Sequence, residues 1–174
     1  TGSAYPDGSL AKAATLIKNA RSEAGESNTC LFDVGDSLYD YTSDYIYNYD
    51  DTVTQPIYKA MASLKYDAIT LGNHDFDYNL SYIQNQLSGA GLSDATVLSN
   101  VKNVNTGNPI WSENKMITKT LTTSQGNQIA VKIGLIGETI PALSKKRTNY
   151  TGTLTTEDIV TNATKEAAVL KSQG

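Results

Sequence analysis

Two periods alternate along this chain, and the switches between them mark its elements. Leu10, Ala13, Ala14, Ile17 and Ala20 recur at helical spacing on one face. Ser9 can cap that helix, which runs to about Glu23 with Gly25 just past its end. Thr29 to Val34 reads as a strand. A second helix begins at Asp51 or Thr52, with Pro56 in its first turn and Ile57, Met61 and Leu64 facing inward. Asp67 to Leu71 is the next strand, and Leu80, Ile83 and Leu87 mark a third helix ending near Gly89 and Gly91. Ala95 to Ser99 reads as strand, and Met116 to Thr122 and Gln128 to Ile136 form a hairpin around Ser124-Gln125-Gly126-Asn127. A last helix, capped by Thr155 or Thr156 with Glu157 and Asp158 in its first turn, carries Ile159, Val160, Ala163, Ala167 and Leu170. Helices and strands in this order call for an α/β sheet with helices on its faces.

One stretch has no period. Tyr39, Tyr41, Tyr45, Tyr47, Tyr49 and Tyr58 crowd the region from Ser37 to Tyr58. Tyrosine supplies flat apolar area with a polar tip, which suits a stacking surface for a base or sugar; a packed surface loop is the plainer reading and the favoured one.

Composition narrows the partners. At 174 residues, 39% hydrophobic and 18% charged, the chain is one domain's worth of globular sequence. Its net charge is −4, without the run of Lys and Arg that a nucleic-acid groove or an anionic membrane surface needs. No apolar stretch is long enough to span a membrane. Cys30, the single cysteine, lies in the apolar pattern Thr29-Cys30-Leu31-Phe32 and reads as a small buried hydrophobe; alone it makes no intramolecular disulfide. The chain opens on Thr1-Gly2-Ser3-Ala4 with no leader pattern, and reads as starting part-way along a longer protein.

The chemistry concentrates at two strand ends. His74, the only histidine, lies in Gly72-Asn73-His74-Asp75-Phe76-Asp77, directly after Ala68-Ile69-Thr70-Leu71. That loop offers an amide oxygen, a nitrogen that titrates near neutrality and carboxylates. The C-terminal edge of an open α/β sheet is where ligands bind. Thr29 to Val34 likewise empties into Gly35-Asp36-Ser37. Adjacent parallel strands would bring Asp36 and Asn73 to one edge, where both oxygens could ligate a cation. Gly, Asn and Asp are also plain turn formers, and Asp75 and Asp77 can cap the following helix. The cap is the preferred role for Asp75, and pairing with His74 the preferred role for Asp77.

These segments resemble a known family. Asp7-Gly8-Ser9-Leu10-Ala11-Lys12-Ala13-Ala14-Thr15-Leu16-Ile17, Leu31 to Asp36, Leu71 to Tyr78, Leu98-Ser99-Asn100-Val101 and Lys132 to Pro141 are similar to successive motifs of the calcineurin-like metallophosphoesterases. The likeness is to the branch of 5′-nucleotidases and bacterial 2′,3′-cyclic-nucleotide 2′-phosphodiesterases/3′-nucleotidases. The resemblance implies a layered sandwich of helices on mixed β-sheets and two divalent cations (Mn, Zn, Fe, Co or Mg). It makes Asp36 the bridging carboxylate, Asn73 a metal ligand, His74 the group beside the leaving oxygen and Asp77 the residue that orients it. Attack by a metal-bound hydroxide on a nucleotide phosphate ester follows, and the family implies an extracellular or cell-surface setting. Nucleotide monophosphates, cyclic nucleotides, UDP-sugars and sulfur esters all fall within the scaffold's chemistry.

The chain departs from the family in three places. The leading Asp-x-His strand and the later histidine motifs are absent, and Asp36-Ser37-Leu38-Tyr39 stands where the family has a Gln-Gly pair after Gly-Asp. The expectation is an internal portion of a catalytic domain, 1–174, without any second domain and incomplete in its fold. Alone it should be inactive, with its two-metal site unfilled and its bared edges inviting a homodimer. The alternative is a non-catalytic binding module that keeps the fold without the metals. A dinucleotide fingerprint at Gly134-Leu135-Ile136-Gly137 lacks its third glycine and a helix start. Asp33-Val34-Gly35-Asp36 is one residue too long for an aspartyl-nucleophile Asp-x-Asp.

Overall fold

The computed structural model describes residues 10–143 and 147–174. The chain divides into two compact units, Thr1–Cys30 with Thr118–Val131, and Leu31–Ile117 with Lys132–Gly174.

The smaller unit holds helix α1 (Leu10–Ala24) and the distal half of a hairpin of β4 (Lys115–Thr122) and β5 (Gln128–Leu135). The proposed Ser9 cap lies outside the described residues. No residue of α1 is fully buried, and Ala20, expected on its inner face, is exposed. The hairpin forms where its turn residues place it: Gly126 takes φ +83° and donates its N–H to the Thr123 carbonyl. Asn28 grips Thr122 in both directions, donating to its carbonyl and accepting from its N–H. Cys30 is exposed, not buried, because the strand here is shorter than its apolar run suggests.

The larger unit carries the core. Strand β1 (Phe32–Asp33) pairs in parallel with β2 (Ala68–Ile69) in the register Phe32 to Ala68 and Asp33 to Ile69. Thr96 continues the parallel order against Ile69. Strands β3 (Val101–Asn103) and β6 (Leu154–Thr156) form a separate antiparallel pair. Among its described residues the unit also holds helices α2 (Tyr41–Tyr49), α3 (Pro56–Ser63), α4 (Leu80–Gly89) and α5 (Ile159–Ser172). The core packs Tyr58, Met61, Leu71, Phe76, Ile83 and Leu98 together. These are helices on small mixed sheets.

Several elements differ from expectation for local reasons. The tyrosine-rich stretch is a helix capped by Asp40, whose carboxylate accepts from the Ser43 N–H. Tyr41, Tyr45 and Tyr49 project outward and stay exposed, while Tyr47 packs edge-on against Tyr78 and Tyr82. The apolar period is hidden because tyrosine occupies both faces. α3 starts at Pro56 rather than Asp51, and α5 is capped by Asp158 because Thr155 and Thr156 are spent in β6. Residues 95–99 form no continuous strand; only Thr96 and Val97 pair there.

Candidate active site

Two glycines let two loops cross. Past β1, Gly35 adopts φ +96°, and a Cβ there would stand 2.2 Å from the Gly72 nitrogen. Past β2, a Cβ on Gly72 would stand 2.3 Å from Asp36 Oδ1. Neither position tolerates a side chain. Asp36 itself sits at φ +58°, a left-handed conformation uncommon outside glycine, and one the surrounding bonds must hold. Its Oδ1 accepts the His74 N–H at 2.8 Å, so the carboxylate is packed on the backbone of the histidine loop. The parallel pairing of β1 and β2 thus puts Asp36, Asn73 and His74 at the same sheet edge.

Asp75 ties the crossing together. Its Oδ2 accepts from the Asp36 N–H at 2.9 Å and the Gly72 N–H at 2.8 Å, and its Oδ1 from the Leu38 N–H at 3.0 Å. It does not cap the following helix; Asn79 does, accepting from the Tyr82 N–H. Burial pushes the Asp75 carboxyl up to about 6, against the pull of its three backbone donors and with a smaller push from the Asp36 charge. Asp33 plays a lesser version of the same part, accepting from the Gly35 N–H and the Ser37 hydroxyl.

His74 is bracketed by three side chains. Its Nδ1 lies 2.9 Å from Asp77 Oδ2, the arrangement that orients an imidazole. The Tyr39 ring covers it at a centroid distance of 3.8 Å, tilted by 33°. From far downstream comes Arg147, whose Nε lies 2.7 Å from Asp77 Oδ1 and donates to the Asn73 carbonyl at 3.1 Å. Its Nη2 stands 3.1 Å from His74 Nδ1. Sequence reasoning missed Arg147; its only hint is the basic triplet Lys145-Lys146-Arg147 in a chain otherwise without one.

Asp36 and Asn73 offer hard oxygen donors of the kind divalent cations take. Among the described residues no three His, Cys, Asp or Glu side chains gather as a metal-holding group. A cation takes about four or more ligands, so the pair fits part of a metal site and not the whole of one.

No protein-family model matches the chain. It is 35% identical over 176 residues to the trifunctional nucleotide phosphoesterase protein YfkN of Bacillus subtilis (strain 168), covering 97% of this chain and 12% of that protein. It is 32% identical over 169 residues to the 2′,3′-cyclic-nucleotide 2′-phosphodiesterase/3′-nucleotidase of Salmonella typhimurium, covering 95% of this chain and 26% of that protein. The crystal structure of calcineurin-like phosphoesterase YfkN from Bacillus subtilis superposes with a TM-score of 0.86 at 33% identity, over 97% of this chain and 52% of that one. The fold is that of the calcineurin-like phosphoesterases. The chain belongs to this family, as a stretch shorter than its relatives, and the two curated relatives named here are nucleotide phosphoesterases.

Proposed function

We propose that this chain is an internal portion of the catalytic domain of a metal-dependent phosphoesterase that hydrolyses nucleotides. The activity would be that of a 5′-nucleotidase or a 2′,3′-cyclic-nucleotide 2′-phosphodiesterase/3′-nucleotidase. The observation that carries the reading is the crossing of the two glycine loops, which packs the Asp36 carboxylate on the His74 backbone N–H in the same loop that carries the Asp77-held imidazole. Asp36 and Asn73 would hold divalent cations together with donors from outside these residues. Bound cations supply Lewis acidity and lower the pKa of water. His74 then presents Nε2 to the leaving oxygen and donates a proton to it or stabilises its developing charge, while Asp77 keeps Nδ1–H fixed. The described residues alone do not supply the ligands for two cations, and in this reading the 174-residue chain by itself is inactive. The proposal includes an extracellular or cell-surface setting; no helix among the described residues is long and apolar enough to cross a membrane.

The test is hydrolysis by the full-length protein of a panel of nucleoside 5′-, 3′- and 2′,3′-cyclic phosphates, with and without a chelator. Chelator-sensitive turnover of one of these supports the assignment. No turnover of any ester by metal-loaded protein would leave the non-catalytic binding module in its place.

A further inference from the structure

We propose that Arg147 is a positioning residue: it locks the Asp77 carboxylate and the Asn73 main chain together so that the His74 ring is held in one orientation and one tautomer. The part concerning catalysis rests on the phosphoesterase reading; the part concerning the ring does not.

The argument begins with what each group can do. A guanidinium only donates, through a planar array of N–H groups, and a carboxylate only accepts. His74 Nδ1 has one of each beside it, Asp77 Oδ2 at 2.9 Å and Arg147 Nη2 at 3.1 Å. One ring nitrogen cannot satisfy both. If Nδ1 carries the proton it bonds to Asp77; if it is bare it accepts from Arg147 and the proton moves to Nε2. The shorter contact and the charged acceptor favour Nδ1–H to Asp77. Arg147 then acts on the carboxylate's other face, with Nε 2.7 Å from Oδ1. That leaves Oδ2 turned to the ring and prevents Asp77 from swinging into solvent. The same Nε grips the Asn73 carbonyl, so one side chain spans the residue before the histidine and the residue that orients it.

The backbone of Arg147 is hydrogen-bonded through both its N–H and its carbonyl. The Arg147 N–H donates to the carbonyl of fully buried Leu143, and the Arg147 carbonyl accepts from the Tyr150 N–H. Tyr150 in turn donates its hydroxyl to the Tyr78 carbonyl and packs edge-on against Phe76. The Arg147 turn is therefore docked on both sides of the histidine loop. At 19% exposure the guanidinium is also better shielded than Asp77 at 37%, so this ion pair is less screened than a surface pair.

Because His74 is the only histidine, the 174-residue chain labelled with 15N-histidine gives the signals of a single imidazole. At a pH where the ring is neutral, the two nitrogen shifts report the tautomer. The wild-type chain should show a predominant Nδ1–H form, and Arg147→Ala a shift toward the mixture of free imidazole. Arg147→Lys should follow the alanine variant, because a flexible lysine stem has no donor at the Nε position and no planar guanidinium to fix the Asp77 carboxylate, and Arg147→Gln serves where alanine impairs folding. Spectra of the variants superimposable on wild type would overturn the proposal. In the full-length protein, Arg147→Ala should lower kcat by about tenfold or more while KM and inhibition by inorganic phosphate change little. Unchanged kcat with weakened KM and phosphate inhibition would make Arg147 a substrate ligand and overturn the positioning role. If the full-length protein hydrolyses no phosphate ester, the phosphoesterase reading fails, and the tautomer measurement still decides what Arg147 does to the ring.

Discussion

Replacing Asp75 with Asn should change how stability depends on pH, by an amount that follows from the burial of its carboxyl. The folded state raises that group from an ordinary value near 3.8 to about 6. A carboxyl raised on folding binds its proton more tightly in the native state. Its contribution is fully present below the unfolded value and is lost as pH rises through the folded one. A shift of about two units corresponds to roughly 3 kcal/mol, of which about 2 kcal/mol falls between pH 4.5 and 7.5. The amide of the variant would not titrate. It would also lose one acceptor: Oδ2 serves two N–H groups and Oδ1 one, so an amide turned either way faces at least one buried donor with an NH2. That constant penalty is about 1–3 kcal/mol and does not depend on pH. Urea unfolding of both proteins in chelator, at pH 4.5 and 7.5, separates the two terms. The difference in unfolding free energy should move by about 2 kcal/mol in favour of Asp75→Asn as pH rises. Parallel profiles would refute the reasoning, because they would mean that the buried carboxyl titrates alike in both states.

Other outcomes follow from the same geometry. In the full-length protein, His74→Asn should lower turnover by about two to four orders of magnitude, and Asp77→Asn by less because it acts through the ring; equal activity of the His74 variant and wild type would remove the assigned role. Gly72→Ala should lower the urea midpoint by the equivalent of about 1–3 kcal/mol, since its Cβ would meet Asp36 Oδ1 at 2.3 Å; an unchanged midpoint would mean the loops part at little cost. Phe32 and Val34 lie bare beside an apolar crevice of about 180 Å³ that reaches Ile69, Val97 and Ile136, and exposed edges and apolar faces associate. The 174-residue chain should therefore sediment as a dimer or larger, and a clean monomer at micromolar concentration would count against this.

What was legible in the sequence was local. α4 follows from Leu80, Ile83 and Leu87; α3 contains the expected Pro56 in its first turn; the hairpin forms around Gly126. The two strand-to-glycine loops could be placed because each is a short pattern complete in itself. What was not legible depends on partners far away in the chain. Asp75 reads as a helix cap until the N–H groups of Asp36 and Leu38 arrive to claim its oxygens. Arg147 meets the histidine loop from 74 residues downstream of Asn73, with no periodicity to announce it. β6 has three residues, too few to show alternation, and gains its strand character by pairing with β3. α2 was hidden by composition: tyrosine on the exposed face and tyrosine on the packed face leave no contrast for a helical period to reveal.

The charges gathered at the two strand ends set an order of events for any anionic substrate. Asp33 ends β1, Asp36 follows in the loop after it, Asp75 and Asp77 come from the histidine loop, and Arg147 is the guanidinium that the geometry places among them. Burial and, to a smaller extent, the Asp36 charge hold the Asp75 carboxyl up. A phosphate group approaching this edge meets net negative potential, and like charges brought into a partly shielded site cost several kcal/mol. Arg147 offers little relief, since its Nε is taken up by Asp77 and the Asn73 carbonyl. In the proposed phosphoesterase, cation binding would therefore come first, supplying positive charge beside Asp36 and Asn73 before a phosphate is bound. In the full-length protein, calorimetric binding of inorganic phosphate should be detectable with divalent cations and weakened at least about tenfold after chelation. Equal phosphate affinity in the two states would show that the carboxylates do not govern access, and that the anion is held by groups elsewhere.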